Sequence, residues 1–78
     1  MAEERVQVER EGIRLDQFLK LSAVALSGGE AKKLINDGLV KVDGEKETRR
    51  GRKLAYGHRV EISGLKTEYR VVPIDKVD

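Results

Sequence analysis

The sequence predicts a small α+β domain in which two short helices pack on a small, largely antiparallel sheet. Between residues 15 and 35, apolar side chains recur at the three- and four-residue spacing of amphipathic helices. From residue 39 onward they alternate with polar side chains, as in half-buried strands, and an Asp-Gly pair marks a tight hairpin turn. The 78 residues include no cysteine, so an apolar core must stabilise the fold without disulfides.

The first helix is predicted to begin near residue 15, after a short strand around Val6 and Val8. The strand is indicated because these two valines alternate with polar residues. Residues 1–5 are polar and are expected to be loose, as are residues 75–78. The helix is indicated by three apolar residues at i, i+3 and i+4, namely Leu15, Phe18 and Leu19.

The second helix has explicit start and stop signals. Ser27 and Glu30 stand at the capping-box spacing, and Gly38 is the glycine that commonly follows a helix C-terminus. Lys32 and Lys33 are predicted to face away from the core, toward water or a partner. The apolar stripe between these signals consists of Ala31, Leu34 and Ile35.

The rest of the chain predicts strands. Asp43-Gly44 predicts a hairpin turn after a strand over residues 40–42, with Lys41 opposite the two valines. A second strand pair is predicted over residues 53–54 and 59–62, and a last strand over residues 68–74. The predicted core consists of Leu15, Phe18, Leu19, Ala31, Leu34, Ile35, Val40, Val42, Leu54, Val60 and Ile62.

Charge is segregated along the chain although the net charge is only +2. Residues 1–16 hold five acids and three bases, whereas residues 46–59 hold six bases and a single acid, Glu47. A run of charge is most often a solvated face. This run, however, lies between predicted strands, and its arginines suit phosphate, which guanidinium groups bind in a bidentate fork. The pattern therefore favours an anion-binding surface.

The order of these elements resembles a known family, the alpha-L RNA-binding motif, which is named after ribosomal small-subunit protein four. The similar stretches are residues 14–20 (RLDQFLK), 27–31 (SGGEA), 31–44 (AKKLINDGLVKVDG) and 57–62 (GHRVEI). The resemblance covers residues 13–62 and is closest to small stand-alone bacterial members. The chain departs from the family pattern at Gly28-Gly29, where Ser-Arg is common, at Asp43, where Asn is usual, and at His58, where Asp is usual.

The length predicts a single domain over residues 1–78, and the absence of cysteine and of a membrane span is compatible with the cytoplasm. The resemblance implies that this domain binds structured RNA, with ribosomal RNA and tRNA as candidates, and we expect it to act as a monomer. Lys41 could equally be a solvated lysine, and Arg14 could equally pair with a nearby acid. The charge pattern and the resemblance together assign RNA contacts to Arg49, Arg50, Arg52, Lys53, Lys32 and Lys33, and extend them to Lys41, Arg14 and Lys20.

The mode of binding is predicted from the small aromatic content. Three aromatic residues are few for base stacking, so recognition of phosphates and shape is expected. An enzyme is not expected, because the chain has no cysteine, one histidine, His58, in a predicted turn, and no motif for a metal or cofactor. The alternative function is that of a protein-interaction adaptor on a ribosome or an RNA-modifying enzyme. No apolar run is long enough to span a membrane.

Overall fold

The computed structural model describes residues 2–74 and has the predicted α+β fold. The elements in chain order are β1 (Ala2–Val8), β2 (Ile13–Arg14), α1 (Leu15–Leu21), α2 (Gly28–Asn36), β3 (Val40–Val42), β4 (Glu45–Lys46), β5 (Lys53–Leu54), β6 (Arg59–Ile62) and β7 (Thr67–Pro73). Within these residues, neither helix has the length and apolar composition of a membrane span.

The strands form two sheets. The larger has the order β1-β7-β6-β3-β4, in which β1 and β7 are parallel and the other neighbours are antiparallel. The smaller is an antiparallel ribbon of β2 and β5, which pairs Ile13 with Leu54 and Arg14 with Lys53. The prediction of a largely antiparallel sheet is therefore confirmed.

The core forms from one face of the larger sheet together with the apolar stripes of α1 and α2. Ten of the eleven predicted core residues are buried, and the other, Leu34, is partly buried against the same cluster. The sequence prediction missed five further members of this cluster, namely Val6, Val8, Ala25, Tyr69 and Val71.

Two sequence predictions about strands were wrong. Residues 2–5 are not loose but belong to β1, which pairs along its whole length with β7. Residues 53–54 do not pair with residues 59–62, because β5 pairs with β2, and β6 lies between β3 and β7. Alternation along a sequence indicates a strand but not its partner, since the partner is decided by contacts between distant residues. The prediction for residues 75–78 lies outside the described residues.

The predicted turns and helix ends are confirmed. Asp43 and Gly44 both have positive φ, of 51° and 84°, as a two-residue type I′ hairpin requires, and they join β3 to β4. Gly38 has a φ of 74° directly after the α2 C-cap, Asp37. Ser27 is the N-cap of α2, and its Oγ accepts a hydrogen bond from the Glu30 N–H at 3.2 Å.

We expect Ser27→Ala to lower the free energy of unfolding by about 0.5–2 kcal/mol, because the Glu30 N–H would lose its acceptor. Urea unfolding followed by circular dichroism measures the change. Ser63→Ala is the matched control, because the Ser63 side chain is exposed and makes no hydrogen bond to any described residue. Equal losses in the two variants would contradict a capping role for Ser27.

Candidate nucleic-acid interface

The basic segment, residues 49–53, lies against the start of α1. The Leu15 N–H donates to the Arg52 carbonyl at 2.8 Å, and the Asp16 N–H donates to the Arg50 carbonyl at 3.1 Å. These N–H groups belong to the first turn of a helix and have no acceptor within it. The backbone of the basic segment therefore supplies acceptors for α1 and is held in place by it.

Glu47, immediately before this segment, organises its arginines. The Glu47 side chain is buried, with a residue exposure of only 6%. Its Oε2 accepts from the Arg49 backbone N–H and from Arg49 Nε, both at 3.1 Å, and its Oε1 accepts from Arg49 Nη2 at 3.3 Å. Arg52 Nη1 donates to the same Oε1 at 2.7 Å. One carboxylate thus holds two guanidinium groups.

These contacts keep Glu47 ionised. Hydrogen bonds from the Arg49 side chain, followed by the one from Arg52, lower the pKa of Glu47 from 4.5 to about 2, although its burial acts in the opposite direction. The carboxylate is therefore charged at neutral pH and cancels part of the positive charge of the segment.

Sequence reasoning missed this role. It treated Glu47 only as the single acid in a basic stretch, whereas the structure makes it the internal partner of Arg49 and Arg52. The two arginines still differ in access to solvent, since the Arg49 side chain is 74% exposed and that of Arg52 is 33% exposed. A lone carboxylate close to several arginines was the signal that could have revealed it.

Arg50 and Lys53 are the two cations of the basic segment that Glu47 does not bind. Both are exposed, and neither forms an ion pair in the part of the chain that the structure describes. Lys53 lies directly across the ribbon from Arg14. Arg14 is paired with Asp16 at 3.1 Å, which is the alternative that the sequence left open for it.

Two further predicted lysines lie on the second helix. Lys32 and Lys33 are exposed on α2, and α2 packs against α1, whose first turn holds the basic segment. Lys20 is exposed in the last turn of α1, four residues after Asp16 and on the same side of the helix. Lys20 therefore belongs to the helix that holds the basic segment, and Lys32 and Lys33 belong to the helix packed against it.

Lys41 lies on β3, on the face of the sheet that is turned away from the core. Its neighbours across the strands are Lys46 on β4 and Glu61 on β6, and it lies on the open face of the sheet, opposite the buried Val40 and Val42. The strand thus places Lys41 opposite the two valines, as the sequence indicated, and its contact with RNA stays a prediction.

His58 has a structural role in its turn. Its Nδ1 accepts a hydrogen bond from the Ala55 N–H at 2.9 Å, and its Nε2 lies 3.8 Å from Asp43 Oδ2. From residue 2 to residue 74, no three histidine or acidic side chains gather into a group that could hold a metal ion.

Together, the fold and this surface define an alpha-L domain, in which two helices and a hairpin are combined with an arginine-rich segment at the start of α1. Residues 6–72 match the S4 domain family, and the chain belongs to that family.

Two similar proteins extend this comparison. The chain is 48% identical over 60 residues to a Bacillus subtilis protein described as "Probable ribosome maturation protein RlbA", and the match covers 77% of this chain and 84% of that protein. It also has the fold of part of the 30S ribosomal protein S4e from Thermoplasma acidophilum, with a TM-score of 0.58 and 24% identity. That likeness covers 91% of this chain but only 40% of the ribosomal protein, and it concerns the fold alone.

Proposed function

We propose that this protein binds structured RNA without catalysing a reaction, and that ribosomal RNA during ribosome maturation is its target. The observation that carries the proposal is the basic segment held by its backbone against α1, with Arg50 and Lys53 exposed and unpaired within the described chain. Membership of the S4 domain family and the name of the Bacillus subtilis relative support it. The proposed setting is the cytoplasm, with the protein acting as a monomer.

The proposed contacts are mainly to phosphates. Arg50 and Lys53 would bind the backbone directly, and Arg49 and Arg52 would add the N–H groups that Glu47 leaves free. Lys32 and Lys33 would extend the contact along α2, with Arg14 and Lys20 at its margin.

Little reading of bases is expected. Of the three aromatic residues, Phe18 and Tyr69 are buried in the core, and Tyr56 is 37% exposed. A strand of RNA therefore meets at most one ring on which a base could stack, and stacking on several rings is how single-stranded RNA is usually held. Recognition of shape and backbone is the remaining mode.

Salt dependence tests the proposal. If about five of the proposed contacts neutralise phosphates, the binding constant should fall with salt at a log–log slope of roughly −3.5 to −4.5, because each contact releases condensed counterions. Fluorescence titration of folded ribosomal RNA at several salt concentrations measures the slope. A flat response would reject a phosphate-binding surface.

One observation favours a second candidate function, that of a protein-interaction adaptor. An open groove of about 570 Å³ lies beside the C-terminal end of α1, and its lining includes Val8, Ile13, Leu21 and Ile74. Leu21 and Ile74 are 53% and 40% exposed. Apolar side chains left open in this way are typical of surfaces that contact another protein. The charge-removal experiment in the Discussion separates the two candidates.

A further inference from the structure

We infer that Glu47 is a positioning residue that makes the basic segment selective for folded RNA over an unstructured polyanion. The inference rests on the proposed RNA-binding function. It assigns to a negatively charged side chain a favourable role in binding a negatively charged ligand, which simple counting of charges would not predict.

Glu47 binds only one edge of the Arg49 guanidinium group. A guanidinium group has two edges that can each donate a pair of hydrogen bonds. Glu47 occupies the edge formed by Arg49 Nε and Nη2, at 3.1 and 3.3 Å. The outer edge, formed by Nη1 and the second N–H of Nη2, is left for a phosphate, which it can bind in bidentate fashion.

Glu47 and Arg49 differ strongly in burial. The Glu47 side chain is 8% exposed and that of Arg49 is 74% exposed. The carboxylate is therefore fixed in the protein while the guanidinium group it orients remains open to a ligand. The Arg49 backbone N–H also donates to Glu47, so the same carboxylate fixes both the chain and the side chain at this position.

Glu47 also binds Arg52, so that one carboxylate holds two guanidinium groups. Arg52 Nη1 donates to Glu47 Oε1, the same oxygen that accepts from Arg49 Nη2. Two guanidinium groups on one oxygen are held at a set separation, which suits a ligand whose phosphates are themselves fixed. An unstructured strand can adapt its phosphates to any arrangement, so it gains nothing from this order.

Removing the Glu47 carboxylate has two effects on the free energy of binding, and these distinguish positioning of the arginines from a simple change of charge. Without Glu47, both arginine side chains would have to be ordered when RNA binds, which costs free energy at binding. Removing the carboxylate also adds a positive charge, which by itself strengthens binding to any polyanion. The two effects have opposite signs for folded RNA, whereas only the second acts for an unstructured strand.

The experiment compares Glu47→Gln with Glu45→Gln. Glu45 is exposed on β4, two residues away, and makes no ion pair or side-chain hydrogen bond with residues 2–74, so its replacement adds the same charge and leaves every side-chain hydrogen bond in place. Each variant and the wild type are titrated with Mg²⁺-folded ribosomal RNA and with poly(U) at one salt concentration.

We expect Glu45→Gln to bind both probes at least as tightly as the wild type, with the same preference between them. Glu47→Gln should bind poly(U) as Glu45→Gln does but folded RNA about tenfold more weakly, the effect expected when two long side chains are ordered only at binding. Equal affinity of the two variants for folded RNA would overturn the inference and leave the proposed function standing. A wild type that binds folded RNA no better than poly(U) would also overturn the inference, whereas a wild type that does not bind folded RNA would contradict the proposed function.

Circular dichroism of each variant establishes first that it is folded. If Glu47→Gln does not fold, Glu47→Asp takes its place, because it retains the charge but is one methylene too short to reach both arginines. It should lose part of the preference for folded RNA at unchanged net charge. A full preference in Glu47→Asp would overturn the inference.

Discussion

Replacing Arg50, Lys53 and Lys32 together with alanine should weaken binding to folded ribosomal RNA by about 100-fold at roughly 0.15 M salt, if each neutralises one phosphate. All three side chains are exposed and make no ion pair with the described residues, so their removal takes away charge without leaving an acid unpaired. The salt slope should become shallower by about one unit for each phosphate that is no longer neutralised. Titration at several salt concentrations measures both quantities.

The matched control removes three charges that are not among the predicted RNA contacts, by replacing Arg10, Lys46 and Lys66 with alanine. These side chains are also exposed and form no ion pair among the described residues. Both variants have the same net charge, so a difference in their affinity for RNA shows that the position of the removed charges matters. The control should weaken binding by less than about threefold, because none of its three side chains is a proposed phosphate contact and salt screens charges that do not touch the RNA. Equal weakening in the two variants would mean that the basic segment is not the site.

Arg49 and Arg52 are left unchanged in the triple variant because both donate hydrogen bonds to Glu47. Removing either arginine would take a hydrogen-bonding partner from a buried carboxylate and so damage the fold as well as the surface. The triple variant also separates the two candidate functions. Loss of RNA binding indicates the RNA-binding function, whereas retained RNA binding together with capture of a protein by the groove at Leu21 and Ile74 would favour the adaptor.

Replacing Leu19 with alanine should lower the free energy of unfolding by about 2–5 kcal/mol, because apolar burial is reduced and a cavity is left behind. Leu19 is fully buried and belongs to the apolar core cluster. A chain of this size has a total unfolding free energy of roughly 4–12 kcal/mol. The expected loss is therefore a large part of the total, and urea or thermal unfolding measures it.

The matched control for this prediction is the same substitution at Leu26. Leu26 is 86% exposed in the loop between the helices, so Leu26→Ala should change the free energy of unfolding by no more than about 0.5 kcal/mol. Similar effects at the two positions would contradict the described core.

The basic residues of the candidate site could be predicted from the sequence, but their contacts with one another and with α1 could not. The density of arginine between residues 49 and 52 is a property of the sequence itself, and the resemblance indicated what it could bind. A lone carboxylate among several arginines indicates an ion pair, but that Glu47 is buried and holds both Arg49 and Arg52 depends on how residues 47–52 close against α1. Lys41 shows the local part of this contrast, because the alternation of β3 predicted its exposed face, whereas its partners Lys46 and Glu61 were decided by the sheet.

The sequence by itself determined the two helices, the start of α1, both ends of α2 and the hairpin turn, because each depends on residues within a few positions of one another. Ser27 caps α2 through Glu30, and Asp43-Gly44 turns the chain within two residues. Only the tertiary structure decided that β1 lies beside β7 and that β5 pairs with β2. These pairings join residues far apart in the chain, and they are selected by the burial of a shared core, which the periodicity of one segment does not specify.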